Sequence, residues 1–335
     1  MAGSGLNRVP RALAALSGLI VLLILLVAGL WYVERLPSGL REWLYLQVVN
    51  PPNDSGRSPQ EFDFFVVGHL YGSPKFEDQM PANLLLERLP DILEADPDFM
   101  VSLGDMVFRK EQVEFTNLEE VFLKKLTFPL YNTPGNHDVA NNPGLYEAYF
   151  GQETYFGKNH GPAHLIFLDT EQVDCGLDDP QLDFLKQELN QALADPETRF
   201  IFVFMHKTLV FQNPEMKSLR HEQAMPNVWD CQNKTGANPL VEDFFKPAAR
   251  QKPVIIFAGD VGAWGNLSPY YQRDPWLPLN LVMTGLGDTP QDNIIRVHVS
   301  PDAVQMDALF LEDMHSASLK EYDLDYWLEI ARGGQ

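Results

Sequence analysis

An α/β layered fold is what this sequence predicts, on three observations. Short apolar runs alternate with segments of helical periodicity. The apolar runs are rich in β-branched and aromatic residues and are bounded by Gly or Pro, as buried strands are. Polar loops follow one run after another, which is where an α/β fold carries its chemistry. The expected strands are Phe62–Val67, Phe99–Leu103, Leu130–Asn132, Ala163–Leu168, Phe200–Met205, Val254–Ala258, Leu279–Thr284 and Ile294–Val299. Helical periodicity falls on Pro81–Glu94, Asn117–Leu126 and Pro180–Ala194. In the last of these, Gln181, Leu182, Leu185, Glu188 and Leu189 form one stripe. Leu319–Arg332 reads as an acidic, aromatic-bearing surface helix.

Composition narrows the function. The chain has 335 residues, 45% hydrophobic and 21% charged, which is a globular balance. With 46 acidic residues against 25 basic ones the net charge is −21. General nucleic-acid binding rests on Lys and Arg at phosphates, so no nucleic-acid partner is expected. Two cysteines, Cys175 and Cys231, exclude a disulfide scaffold and a cysteine-rich zinc module. In an oxidising compartment they could form one bond, but spacing does not decide it. Asn53, Asn233 and Asn266 head Asn-x-Ser/Thr triplets, which matter only in a glycosylating source.

Ala12–Val33 carries no charged residue and is long enough, at ~1.5 Å per residue, to cross a ~30 Å hydrocarbon core. Trp31 and Tyr32 sit at its outer end, where amphipathic rings favour the interface. Arg8 and Arg11 precede it, while Glu34, Arg35, Arg41 and Glu42 cancel after it. The expected organisation is therefore a cytoplasmic tail over 1–11, an uncleaved single-pass anchor over 12–33 and a stalk over 34–60. A compact domain follows over 61–300 on the outer side, periplasmic, lumenal or extracellular, with a helical extension over 301–335. A cleaved signal peptide is the alternative, with a shorter apolar core and a small-x-small site that is not evident here.

The loops after the expected strands read, in order, Gly68-His69-Leu70-Tyr71-Gly72, Gly104-Asp105-Met106-Val107, Gly135-Asn136-His137-Asp138, His206 and Gly259-Asp260-Val261-Gly262. Carboxylate, amide oxygen and imidazole thus recur at one edge of the sheets. Such a set suits a hard divalent cation, and two such ions can clamp a phosphoryl group. The series resembles the calcineurin-like metallophosphoesterase family over roughly Phe62 to Val299. Thr133–Asp138 (TPGNHD) is the strongest match, followed by Leu103–Asp105 (LGD), Phe202–His206 (FVFMH) and Phe257–Asp260 (FAGD). His164–Thr170 (HLIFLDT) and Gln181–Leu189 (QLDFLKQEL) fit the spacers.

The resemblance implies a four-layer α/β/β/α sandwich behind the N-terminal transmembrane helix, with a two-metal site at one edge. By position, Asp105 matches the carboxylate that bridges both metals. Asn136 and His206 match ligands of the second metal. His137 matches the histidine that contacts substrate and assists the leaving group. The departures fall on the first metal. His69 and Tyr71 stand where the family has Asp-x-His. Phe108 stands at the second Asp of Gly-Asp-x-x-Asp, and Asp260 and Gly262 stand where it has Gly-His-x-His.

The second site keeps Asp105, Asn136, His206 and Asp260 as capable ligands, while the first keeps Asp105 and His69. Asp63 lies at the wrong end of its strand to rescue it. One divalent cation (Mn, Fe, Zn or Mg) or none is expected. A membrane-anchored single-metal phosphoester hydrolase is one reading, with a phosphoester substrate. A pseudoenzyme is the other: the same fold kept as a binding or scaffold subunit beside a membrane-protein partner.

Overall fold

The fold is built from strands whose two faces both have somewhere to go. The computed structural model describes residues 60–73, 81–109, 111–139, 143–150, 153–173, 176–207, 239–261 and 269–331. The expected anchor and stalk, Gly262, both cysteines and the three Asn-x-Ser/Thr triplets lie outside these residues. Among the described residues no helix is long and apolar enough to cross a membrane.

The elements run β1 (Phe62–Val67), α1 (Asn83–Glu94), β2 (Phe99–Ser102), α2 (Gln112–Val121), β3 (Leu130–Asn132), α3 (Asn136–Val139), α4 (Pro143–Phe150), β4 (Phe156–His160), β5 (Ala163–Phe167), α5 (Asp179–Ala194), β6 (Phe200–Met205), a π-helical turn (Leu240–Phe245), α6 (Lys246–Ala249), β7 (Val254–Ala258), β8 (Tyr270–Arg273), β9 (Leu279–Met283), β10 (Asn293–Ser300), β11 (Ala303–Phe310), β12 (Ser316–Ser318) and α7 (Leu324–Ala331). One six-stranded sheet has the order β12-β11-β10-β1-β2-β3 and the other β4-β5-β6-β7-β9-β8. β1, β2 and β3 are mutually parallel, as are β5, β6, β7 and β9.

Side chains alternate along each strand, and the alternation makes three cores. Phe62, Phe64 and Val66 of β1 meet Phe202, Phe204 and Phe257 of the other sheet between the two sheets. Phe64 lies edge-on to Phe202 at 5.4 Å and stacks on Phe99 at 4.8 Å. The intervening Phe65 and Val67 face outward onto Leu85, Leu89 and Ile92 of α1. On the far side Ile201, Val203 and Met205 of β6 pack against Leu185 and Leu189 of α5. Both faces of the central strands are covered, so they read as unbroken apolar runs. The result is the expected layering of helices, sheet, sheet and helices.

α5 starts where its sequence directs. Asp178 caps it by accepting from the Gln181 backbone N–H at 3.0 Å, and Pro180 occupies its first turn. The polar members of its stripe are buried by specific bonds. Gln181 exchanges two hydrogen bonds with the Asp169 backbone, at 2.7 and 2.8 Å. Glu188 meets buried His164 at 2.8 Å.

Three expectations are corrected. α2 starts and ends five residues earlier than the predicted helix, and the rest of the predicted range holds a 3-10 turn over Leu123–Lys125, with Phe115, Leu118, Phe122 and Leu126 all in the core. The domain does not end at 300: β11 pairs with β10 over eight residues and β12 extends the same sheet. The helical part of the C-terminal region is confined to Leu319–Tyr322 and Leu324–Ala331. Asp63 sits at the end of the sandwich remote from the polar loops, where its Oδ1 lies 2.7 Å from His298 Nδ1.

Candidate metal centre

The C-terminal ends of the parallel strands of both sheets converge. Glycines make that possible, because these loops touch backbone to backbone. A Cβ on Gly68 would lie 2.2 Å from the Thr284 carbonyl oxygen. One on Gly259 would lie 2.3 Å from Leu103 Cβ. Gly104 has a φ of +89°, and a Cβ on it would lie 2.6 Å from Gly135 N and 2.8 Å from His206 Nδ1. Asp105 then continues the turn at φ 54° and His69 adopts φ 52°, both unusual for residues with a side chain. The Leu286 N–H donates to the Gly68 carbonyl at 3.1 Å, tying β9 of one sheet to β1 of the other.

His206, fully buried after β6, is the centre of the polar group. Its Nδ1 lies 2.7 Å from the Leu103 carbonyl oxygen, so Nδ1 carries a proton and donates. Its Nε2 faces Asn136 Oδ1 at 3.3 Å, Asp105 Oδ1 at 3.5 Å and Asp260 Oδ1 at 3.7 Å. Ligand atoms of Asp105, His206 and Asp260 lie within 4.8 Å of one another. The Asp260 loop is fastened here by the Gly259 and Asp260 N–H groups, which donate to the His206 carbonyl at 2.9 and 2.8 Å. Burial opposes the charge on Asp105, but His206 and His69 outweigh it and hold its carboxyl well below the usual range. Burial likewise opposes the charge on His206, yet Asp105, Asp260 and Glu171 raise its pKa to about 9. Burial pushes Asp260 upward.

Of the remaining expected site residues, His69 meets the other oxygen of Asp105 and His137 meets the same oxygen as His206. His69 Nε2 lies 3.2 Å from Asp105 Oδ2, and its Nδ1 faces the Gly72 carbonyl at 3.2 Å. Each ring nitrogen therefore already meets an oxygen, and His69 stands beside the His206 group rather than in it. Tyr71 is buried with its ring centroid 4.3 Å from His69 and 5.0 Å from His137. Burial, reinforced by Asp105 and Asp260, drives its phenol far above the usual range, so it stays neutral. Phe108 stacks on His137 at 5.3 Å and meets Tyr71 edge-on at the same separation. His137 is held by its backbone N–H, which donates to Asp105 Oδ1 at 3.0 Å, and by Nδ1, which donates to the Phe108 carbonyl at 2.6 Å. That leaves Nε2 as the ring atom open to a ligand.

Two contributors escaped the sequence reading. Asp138 is fully buried and accepts from Met106 N at 2.8 Å, Val107 N at 3.2 Å and Gly135 N at 2.8 Å. It locks the Asp105 loop to the Asn136 loop, a long-range role that its place at the end of TPGNHD does not announce. Burial and the Asp105 carboxylate push it up to about 7. Asp138→Ala strands three buried N–H groups, so it is expected to cost about 3 kcal/mol of stability or more. Denaturant unfolding checks this. A near-neutral result would mean the two loops hold each other without it. The second contributor is Glu171, buried beside the site and paired with Lys207 at 3.0 Å. Its signal was the position of Lys207 directly after His206.

The donor set fits one hard or borderline divalent cation. It offers two carboxylates, an amide oxygen and an imidazole whose distal nitrogen is fixed by a backbone carbonyl, as ligating histidines usually are. On the Oδ2 side of Asp105 stands His69, with the neutral Tyr71 phenol packed against its ring.

Comparison with known proteins bears on the fold and the family. The chain resembles a purple acid phosphatase from yellow lupin (Lupinus luteus) seeds at 11% identity and TM-score 0.54, over 78% of this chain and 53% of that one. It thus spans about half the length of that structure, and the likeness is one of fold. A phosphopantetheinyl hydrolase from Mycobacterium tuberculosis matches at 11% identity and TM-score 0.36, over 69% of this chain and 91% of that one. Vacuolar protein sorting 29 from Cryptosporidium parvum matches at 12% identity and TM-score 0.35, over 77% and 95%. No curated protein sequence matches. The profile of the calcineurin-like phosphoesterases matches residues 81–328, most of the chain, and the chain belongs to that family.

Proposed function

We propose that this chain is a membrane-tethered phosphoester hydrolase that works with a single divalent cation held by Asp105, Asn136, His206 and Asp260. The observation that carries the reading is the convergence of three oxygens on His206 Nε2, with Nδ1 engaged by Leu103. When bound, the cation would supply charge stabilisation at the phosphoryl oxygens and lower the pKa of water. The residues do the rest. His69 holds Asp105 by Oδ2 and orients it. His137, packed against Phe108 and Tyr71, presents Nε2 to the leaving oxygen and, as an imidazolium with a proton on each nitrogen, delivers the Nε2 proton to it. Phe108 and Tyr71 exclude water from that side. The uncharged Ala12–Val33 segment supports the tether, with the domain on the outer side.

The test is hydrolysis of a phosphomonoester and a phosphodiester chromogen by the full chain with Mn²⁺. His137→Gln is expected to lower kcat by about 10²-fold or more with cation affinity kept, since general acid catalysis contributes about that much. Equal loss of cation binding would contradict the assigned role. The aromatic filling beside Asp105 also favours a second reading, a binding subunit that retains one cation. Cation binding without hydrolysis of either ester would favour it.

A further inference from the structure

The half-buried residues of the metal centre mark the side from which a substrate reaches it. Asp105 and His206 are buried, whereas Asn136, His137 and Asp260 are half-buried. Lys207 is half-buried as well and directly follows His206, so it stands at this mouth on the β6 side. His137, with Phe108 stacked on it, stands on the β3 side.

Lys207 is fastened at two points. Its backbone N–H donates to Thr170 Oγ1 at 3.0 Å, and its Nζ lies 3.0 Å from Glu171 Oε2. Thr170 and Glu171 follow β5, so the contacts join the β5 and β6 loops. The Lys207 side chain is 18% exposed and that of Glu171 6%. An ion pair this far out of water gains little over an apolar pair of similar volume, so stability alone does not account for it. Its surroundings supply a reason. The charge of Lys207 acts on the Asp260 carboxyl, and that of Glu171 acts on His206 and Asp105. The other cationic chain near the mouth is Arg109, exposed and 5.6 Å from the Phe108 ring, on the His137 side. A phosphoryl anion entering the mouth meets the charges of Asp105, Asp260 and Glu171. It therefore needs positive charge beyond that of one cation.

We propose that Lys207 is a substrate-binding residue whose ammonium, aimed by Glu171, binds a phosphoryl oxygen on the β6 side of the mouth. Two-ion sites hold a transferring phosphoryl group from both sides. With one ion, a fixed ammonium can supply the second side. An ammonium carries three donors, so the contact is compatible with the Glu171 pair. The inference rests on the single-cation reading above.

The test is calorimetric titration of the Mn²⁺-loaded full chain with inorganic phosphate. Lys207→Met is expected to weaken phosphate binding by about 10-fold or more, the usual worth of a hydrogen bond between charged groups, without loss of Mn²⁺ affinity. That variant also leaves Glu171 unpaired. Lys207→Met combined with Glu171→Gln removes both charges and is the deciding chain. The same weakening in the double variant would support direct contact. Recovery of the parent's phosphate affinity there would overturn the proposal, because Lys207 would then only neutralise Glu171. Parent-like phosphate binding in both variants would also overturn it and leave a pair that merely joins two loops. A parent that binds Mn²⁺ but no phosphate would overturn the inference and leave the metal centre standing. A parent that binds no Mn²⁺ would overturn the centre and the inference with it.

Discussion

Asp105→Ala is expected to abolish divalent-cation binding while the domain stays folded. Asp105 meets His69, His137 and His206 together. Removing it deletes a charged ligand and releases the two groups that it aligns. Loss of a partner outside the ligand set costs about 10–100-fold in metal affinity, so loss of this carboxylate should exceed that range. Calorimetric Mn²⁺ titration gives the affinity, and melting with and without a chelator gives an independent reading. Binding shifts the parent's melting temperature by mass action, and that shift should vanish in the variant. A variant that still binds tightly would place the ion away from Asp105.

Gly104→Ala is expected to be strongly destabilising for a change of one methyl group. Two costs add. The residue is held at φ +89°, where a side chain is strained by about 1–2 kcal/mol. The new Cβ would also overlap Gly135 N at 2.6 Å and His206 Nδ1 at 2.8 Å. Backbone on one side and a buried, hydrogen-bonded ring on the other cannot yield cheaply, and overpacking of that kind costs about 1–3 kcal/mol. A total near 3 kcal/mol corresponds to about 6–12 °C in melting temperature for a domain of this size. Gly176→Ala is the control: its nearest neighbour, Val173 Cγ2, lies 3.5 Å away, so little change is expected. Similar melting temperatures for the two variants would mean that the contact between the β2 and β3 loops gives way easily.

The parts of this fold that were legible in the sequence are those covered on both faces. β1, β6 and β7 are apolar at every position but one, because successive residues enter different cores. The strands that were missed are at or near sheet edges. β4 alternates half-buried with exposed residues and contains Gly157, over which the Glu188 carboxylate lies. β11 is half exposed, with Gln305 and Asp307 on one face, so its apolar content does not separate it from a loop. The same contrast applies at the centre. Asp105, Asn136, His206 and Asp260 each follow a strand, and the parallel topology brings them together. What sequence order does not carry is contact across loops, such as the three N–H groups gathered by Asp138. Nor does it carry the way Phe108, Tyr71 and His137 pack against one another beside Asp105.

The central claim is one cation per chain, and the direct measurement is stoichiometry. The full chain, stripped with chelator and re-equilibrated with excess Mn²⁺, would be freed of unbound metal and assayed for metal per protein. The account predicts one equivalent, lost in Asp105→Ala and in Asp260→Ala alike. Two equivalents would contradict it and would mean that His69 and Tyr71 turn to hold a second ion. No bound metal would remove the basis for a cation-dependent hydrolase on this fold.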